Sequence, residues 1–359
     1  MNIKKKMINI MIPVAAVLVA FIIGGIIMAC LGTNPFAAYV ALIKGAFGSP
    51  SMIAQTLVIS CPLMFTSLAA VFAYKCGVFN LGGEGQFVMG AVASVFFALK
   101  SGVNGVPGIL LSLLCGALAG GLWAAIPGIL KIKRGLNEMI VSIMLNYIAV
   151  LFMSFVYTNV LRDGSIPQTA EIDNGLKFAV LSSDFRVHIG ILIAVVIGIV
   201  LNFVIYKTAY GFKVRAVGIN SVATKVNGYS VKTIVLSSFI LSGAIAGIGG
   251  SIELHGKQYR LLSGFGDGFG FDGVAIALIA QLNPVAALIV AFLFGVLRKG
   301  SNALQVTMGV PTAIVEIIQA LIIIFAVAGT AAVKSSAIKQ FMRRHSFKQK
   351  ANVATEVIS

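Results

Sequence analysis

The chain is poor in charged residues and poor in the residue types that build catalytic centres. Only 11% of its 359 residues are charged, 58% are hydrophobic, and the mean hydropathy is +1.00. Soluble domains carry roughly a quarter charged residues, so this composition excludes an ordinary soluble domain. It indicates a protein that crosses a membrane several times.

Cysteine and histidine are equally scarce. The four cysteines lie in or beside apolar segments and the three histidines at or outside the ends of the apolar stretches, which predicts no disulfide framework, no metal site and no proton relay. The sequence has no phosphate-binding glycine loop, no His-Glu-x-x-His and no nucleophile elbow. We therefore expect no enzyme and no cofactor. A transporter of this kind must use a gradient or the ATP hydrolysis of a partner.

Long uncharged stretches predict about ten membrane spans, because a span needs roughly 20 apolar residues. They lie at about 8–31, 52–73, 84–99, 107–130, 138–160, 188–206, 233–253, 269–282, 285–298 and 311–331. The predicted fold is all-α, a polytopic transmembrane helical bundle. It is predicted to have a cytoplasmic N-terminus at 1–7, a transmembrane domain at 8–331 and a basic cytoplasmic tail at 332–359.

The net charge of +16 is explained by orientation rather than by nucleic acid. Basic residues cluster in alternate loops, and the positive-inside rule then places both termini in the cytoplasm. One site violates the rule, since Arg298-Lys299 is expected in an outer turn. A five-plus-five inverted repeat would explain it, with Glu84-Gly85 matching Asp272-Gly273.

Two glycine-rich segments predict broken or re-entrant helices. Residues 79–86 read Phe-Asn-Leu-Gly-Gly-Glu-Gly-Gln, which does not favour a continuous helix. Glu84 is then either a functional carboxylate or a cap favoured by the helix dipole. Residues 264–273 alternate Gly and Phe, and we expect either an aromatic gate or a tight turn with its rings at the membrane interface.

Polar side chains inside the predicted spans are candidates for a solute path, because lipid exposure would be costly. Glu316 and Gln319 are three apart and share a helix face. The candidates for the translocation path are Asn80, Glu84, Gln86, Asn146, Asp272, Gln281, Glu316 and Gln319.

The connection 207–232 carries five basic residues and no acidic one. Asn220 or Ser221 is a predicted N-cap of a short helix that ends at Asn227-Gly228. Val222, Ala223 and Val226 share one face of that helix. The pattern favours docking into a groove on a soluble subunit; the alternative is a helix lying on lipid headgroups.

Several separated motifs resemble the permease family of bacterial ABC importers, in the branch for ribose-like sugars, branched-chain amino acids and nucleosides. They are residues 214–220 with Ala223 and Gly228, 242–250, 79–86 and 270–278. The last two, together with 134–138, are most similar to the nucleoside and simple-sugar subgroup. The resemblance covers most of 40–330.

The resemblance implies a bacterial inner-membrane permease that works with an ATP-binding subunit, a second permease, identical or paralogous, and an extracytoplasmic solute-binding protein. It also implies a coupling helix around 219–228. The residues expected to couple to the ATPase are Asn220, Ser221, Val222, Ala223, Lys225, Val226 and Gly228. The leading hypothesis is ATP-driven import of a nucleoside or related sugar-type solute by alternating access. The runner-up is a stand-alone secondary transporter or channel for a small polar solute.

Overall fold

The computed structural model describes residues 3–180 and 187–334, and within these ranges the only elements besides helices and loops are three isolated β-bridges. The helices there are α1 Ile3–Cys30, α2 Pro35–Phe47, α3 Pro50–Lys75, α4 Gly83–Lys100, α5 Gly105–Arg134, α6 Glu138–Phe155, α7 Gly190–Lys207, α8 Ala209–Ile219, α9 Ser221–Val226, α10 Val231–Glu253, α11 Phe269–Ile279, α12 Pro284–Met308 and α13 Thr312–Lys334. The predicted all-α bundle is confirmed.

Seven of the described helices are long and apolar enough to cross a membrane, and an eighth span results if Leu18–Cys30 and Pro35–Phe47 form one broken span. The chain is therefore a multi-pass membrane protein. The predicted count of about ten is not confirmed. The two predicted spans at 84–99 and 269–282 correspond to α4 and α11, and α11 has only 11 residues. At 1.5 Å per residue, α11 is about 16 Å long, which is half of a hydrocarbon core of roughly 30 Å.

The predicted break at Arg298-Lys299 is wrong. Both residues lie inside α12, which runs without interruption from Pro284 to Met308. The apparent loop arose because a stretch with two adjacent cations was read as water-exposed. The structure satisfies both cations locally: Arg298 pairs with Asp272, and Lys299 Nζ donates to Gln55 Oε1 at 2.5 Å.

The described residues divide into two compact units, residues 3–38 with 308–334 and residues 39–180 with 187–307. In the first, α1 packs against α13. The second contains α3 to α11, almost all of α12 and both glycine-rich segments. The predicted division into a short N-terminal segment, a membrane domain and a tail stays a prediction, and residues 335–359 of that tail lie outside the described residues.

Glycine sets the packing distance at the centre of the larger unit, where α10 crosses α5 and α4. A Cβ on Gly247 would lie 2.2 Å from the carbonyl oxygen of Gly116, and a Cβ on Gly243 would lie 2.3 Å from that of Gly120. Such contacts are closer than any real side chain tolerates, so the backbones touch directly. In a membrane, where lipid is as apolar as leucine, close backbone packing of this kind is a main source of helix association.

Candidate functional site

The first candidate region, here called the junction, consists of residues 80–86, residues 264–272 and Arg298. Residues 80–82 of the junction belong to the stretch between α3 and α4, which is non-helical from Gly77 to Gly82. Helical structure fails there because the sequence supplies glycine and turn residues where a helix would need side chains. The predicted break in this segment is confirmed, and Glu84 lies in the first turn of α4.

Asn80 holds this break in place. It is 2% exposed, and its Nδ2 donates to Gln86 Oε1 and to Ser242 Oγ, both at 3.0 Å. Its Oδ1 accepts from Gly82 N at 3.0 Å and from Gln86 Nε2 at 2.9 Å, and Ser242 Oγ donates in turn to Ala69 O. Because every one of these buried polar groups has a partner, the network ties the non-helical segment to α3, α4 and α10.

Asn146 on α6 supports the same segment from the other side. Its Oδ1 accepts from Gly85 N at 2.9 Å and its Nδ2 donates to Leu81 O at 2.9 Å. It therefore binds one backbone group before the start of α4 and one after it, as a capping side chain does. Three of the predicted path residues therefore hold the segment around Glu84 through buried hydrogen bonds: Asn80, Gln86 and Asn146.

The first turn of α11 packs directly against the first turn of α4. A Cβ on Gly270 would lie 2.2 Å from the backbone nitrogen of Glu84, so only glycine fits. The rings of Phe265 and Phe269 lie 6.0 and 5.7 Å from the ring of Phe87. Both residues are buried, which corrects the expectation that the rings of this segment anchor at the membrane interface; Phe271 alone of the three is exposed.

Each of the two meeting helices carries a carboxylate in its first turn, Glu84 in α4 and Asp272 in α11. Positive helix dipole ends favour a carboxylate at such a position. Arg298 Nη2 lies 2.7 Å from Asp272 Oδ2, and its guanidinium stacks 4.7 Å from the centroid of the Phe269 ring. The structure therefore adds Arg298 to the two predicted acidic residues.

Three predicted path residues lie away from this cluster. Gln281 follows α11 in a turn with a φ of +52° and is exposed. Glu316 and Gln319 belong to α13 in the other compact unit, where Glu316 is exposed and Gln319 is buried. Although the two are three residues apart, they do not share one environment, and a role for them in the path stays a prediction.

The second candidate region, here called the α8–α9 pair, consists of residues 208–229. The sequence did not lead us to predict α8, which Thr208 caps by accepting from Gly211 N at 3.1 Å. The Thr208 cap was the signal that could have revealed it. A Cβ on Gly218 would lie 2.2 Å from Lys75 O, and Tyr210 Oη lies 2.7 Å from Ser237 Oγ. These contacts fix α8 to the ends of α3 and α10.

The predicted short helix is confirmed as α9. The Asn220 side chain accepts from Ala223 N at 2.9 Å, and Gly228 has the left-handed φ of +80° expected of a stop. Thr224 is the buried residue of this helix, whereas Val222 and Val226 are 71% and 82% exposed. The apolar face predicted from the sequence thus points away from the rest of the chain.

A cavity of about 480 Å³ lies between α8 and α9. It is lined by Phe212, Arg215, Ala216, Ile219, Asn220, Ala223, Thr224, Asn227 and Tyr229. Arg215 is the charged residue of this lining, and its buried Nε has no hydrogen-bond partner among the described residues. An unpartnered buried donor is costly, so the cavity is suited to an acceptor from outside the chain.

Two of the three cations of the pair, Lys213 and Arg215, have aromatic neighbours. Lys213 Nζ lies 5.5 Å from the Tyr229 ring centroid, and the Arg215 guanidinium lies 5.6 Å from that of Tyr206. Among the described residues, no ion pair involves any of the five basic residues of 207–232. Their positive charge is therefore not neutralised by an acidic residue of the described ranges.

Comparison with known proteins gives one family and several relatives. The family model described as branched-chain amino acid transport system / permease component matches residues 52–327. The guanosine ABC transporter permease protein NupP of Bacillus subtilis is 35% identical over 89% of this chain and 94% of its own length. The glucose ABC transporter permease protein TsgB13 of Haloferax volcanii is 34% identical over 87% of this chain and 86% of its own.

The nucleoside ABC transporter permease protein NupB of Lactococcus lactis is also 34% identical, over 88% of this chain and 90% of its own length. Bacillus subtilis and Lactococcus lactis each have a second, more distant relative of this chain, 27% and 28% identical. No solved structure matches the chain.

Proposed function

The chain belongs to the family of branched-chain amino acid transport system permease components, and from this premise we propose that it imports a nucleoside or a closely related sugar-containing solute. It is the membrane-spanning permease subunit of an ABC importer and has no catalytic site of its own, since ATP is hydrolysed by a partner. Two of the three relatives above are named for nucleosides and one for glucose. A pentose or hexose ring is common to all of these solutes.

The partners that fit this family are an ATP-binding subunit and a solute-binding protein. We propose that the second permease is a paralogue rather than another copy of this chain. The support is that the two bacteria above each have two relatives of different similarity to it. Co-expression of a tagged and an untagged copy of this chain tests this, because a homodimer retains the untagged copy on an affinity column and a heterodimer does not.

We propose that both termini and the α8–α9 pair lie in the cytoplasm of a bacterial inner membrane. The support is the charge distribution, since residues 4–6, 207–232 and 334–350 are rich in Lys and Arg and contain no acidic residue. Single cysteines in these segments are expected to react with a membrane-impermeant maleimide only after the cells are opened. Labelling in intact cells would contradict this orientation.

Coupling to the ATP-binding subunit is assigned to α9 and its flanks, residues 220–228. One observation carries this proposal: an exposed apolar helix, a cavity with an unpartnered Arg215 donor and uncompensated basic residues occur at the same place. A soluble partner with an acidic group at its docking surface complements all three. A lipid surface would complement the positive charge, but it would not supply a group that fills the cavity.

The test is Ala223→Arg in the complete importer, with Ala223→Ser as the matched control. Ala223 is exposed and lines the cavity, so arginine blocks docking without disturbing the membrane helices. We expect normal membrane insertion, loss of uptake and loss of the link between solute and ATP hydrolysis. Gly228→Val is expected to act in the same direction, because its φ of +80° suits glycine. A normal complex and normal uptake in both variants would refute the coupling role.

The junction is proposed to line the solute path, with Glu84 and Asp272 as its acidic groups and Asn80, Gln86 and Asn146 as their support. Gln281, Glu316 and Gln319 are proposed as further path residues at other levels. Uptake of a labelled nucleoside in competition with nucleosides, pentoses and branched-chain amino acids tests the solute class. Uptake that persists without the ATP-binding subunit would instead support a stand-alone transporter.

A further inference from the structure

The starting observation is a full positive charge deep in a membrane helix. Arg298 is 14 residues from the first residue of α12 and 10 from the last, which places it about 21 Å and 15 Å from the two ends. An arginine at such a depth is expensive unless it is paired, and it marks a functional position together with its partner. Its partner in this structure is Asp272, at 2.7 Å.

A second carboxylate, that of Glu84 on α4, lies near enough to Arg298 to interact with it electrostatically. The Glu84 carboxylate accepts a hydrogen bond from the backbone of Gly268, and the charged groups that act on it are Asp267, Asp272 and Arg298. Its Oε2 is buried and has no hydrogen-bond partner among the described residues. One acceptor position of Glu84 is therefore unused beside the only cation of the junction.

Gly268 is the backbone link between the two charges. Its amide binds Glu84, and a Cβ placed on it would lie 3.3 Å from Arg298 Nη2. The guanidinium carries five donors in a planar fork and uses the Phe269 ring as a flat support. Because Gly268 has no side chain, it places only backbone atoms between the Arg298 guanidinium and the Glu84 side chain.

We propose that Arg298 is a positioning residue that exchanges between Asp272 on α11 and Glu84 on α4 during the transport cycle. In the conformation described here it holds Asp272. In the alternative conformation it holds the free oxygen of Glu84, and the first turn of α11 shifts against that of α4. This inference rests on the permease function but not on the identity of the solute.

The energetics favour such an exchange. Arg298 and Asp272 are part-buried, so separating them outright leaves a poorly solvated charge, whereas exchanging one carboxylate for another keeps the cation paired throughout. Two states that each keep the cation paired with one carboxylate are closer in free energy than a paired and an unpaired state. Conformations separated by a few kcal/mol are those that ligands and partners can shift.

The functional test is Glu84→Gln in the complete importer, reconstituted in proteoliposomes with its ATP-binding and solute-binding partners. Glutamine keeps an oxygen for the Gly268 amide but cannot form the second ion pair. We expect the complex to assemble with wild-type yield, and uptake and solute-stimulated ATP hydrolysis to fall at least about tenfold, within the usual range of coupling effects. Lys299→Gln removes the adjacent charge of α12 and is the matched control, expected to stay within about twofold of wild type. Assembled Glu84→Gln with wild-type stimulation would overturn the proposal.

The direct test is the structure of the Asp272→Asn complex by electron cryo-microscopy, a readout that needs no solute. Loss of the Asp272 charge is expected to move the guanidinium to Glu84, with nitrogen–oxygen distances of about 2.8 Å. A guanidinium that stays beside the substituted side chain and Phe269, remote from Glu84 Oε2, overturns the exchange. Failure of the solute assignment looks different, because the wild-type complex would then import no nucleoside while the cryo-microscopy result would be unaffected.

Discussion

The junction and the α8–α9 pair both depend on charge, but they treat it in opposite ways. At the junction the cation Arg298 lies within a membrane helix, is paired with Asp272 and rests on the Phe269 ring. In the α8–α9 pair, Arg215 and four lysines of 207–232 have no acidic partner among the described residues. A charge inside a membrane must be neutralised within the chain, whereas a charge in water can remain available for a partner. This difference is consistent with the exchange proposed for the junction and with the docking role proposed for the α8–α9 pair.

The two regions also differ in how closely their backbones pack. The largest expected loss of stability comes from a substitution at the tighter of the two, the junction. Gly270→Ala places a methyl group 2.2 Å from the backbone nitrogen of Glu84. The first turns of α4 and α11 must then separate, at a cost of about 3 kcal/mol or more. We expect a large fall in the thermal midpoint of the purified protein and no uptake.

Gly228→Ala is the counterpart in the α8–α9 pair. No atom lies within 4 Å of a Cβ at Gly228, so the only cost is its φ of +80°, about 1 kcal/mol. Equal thermal shifts for Gly270→Ala and Gly228→Ala would show that the junction is not the tighter of the two.

The next largest loss of stability is expected when an asparagine is removed from each region. Asn80→Ala leaves buried Gln86 and Gly82 groups without their partner, which costs about 1–3 kcal/mol for each group that stays unsatisfied. Asn220→Ala removes one exposed N-cap and costs about 1 kcal/mol. Thermal denaturation of both variants in detergent measures the difference, and a smaller shift for Asn80→Ala would contradict its role in holding the break.

Arg215→Glu is expected to change assembly while leaving folding nearly unchanged. The cation–π contact with Tyr206 contributes only about 0.5–1 kcal/mol, so the thermal midpoint of the isolated permease moves little. Co-purification of the ATP-binding subunit is expected to fall sharply, because a cation that lines the cavity is replaced by a carboxylate. Arg215→Lys keeps the charge and is the control. Full retention of the ATP-binding subunit by Arg215→Glu would show that the charge of Arg215 does not contribute to docking.

The smallest effect concerns exposed charges that are paired, in the loop 161–180. Hydrogen bonds from Lys177 and then Arg260 lower the pKa of the Glu171 carboxyl from its usual 4.5. A lowered folded-state pKa contributes stability above pH 4.5 that is lost as the pH falls through the lowered value. Glu171→Gln is therefore expected to lower the thermal midpoint slightly at about pH 7, with a difference that shrinks below pH 4.5. A difference that grows in acid would contradict this pairing.

Local patterns predicted local structure well. Asn220 as a cap and Gly228 as a stop predicted α9 and the position of its apolar face, because both signals act within one turn of the helix. The glycine cluster at 82–85 predicted the break before α4 for the same reason. Helix α8 was missed, because the glycine and cations between Thr208 and Asn220 were interpreted as a connection rather than as a capped helix.

The class of the protein, its many apolar helices, the break before α4 and the family of its motifs could all be predicted from the sequence. Two features could not: Arg298 lies within one continuous helix and pairs with Asp272, 26 residues earlier, and Gly270 lies against Glu84. Hydropathy and capping depend on neighbours along the chain. The cost of a buried charge, by contrast, depends on partners that only folding brings together.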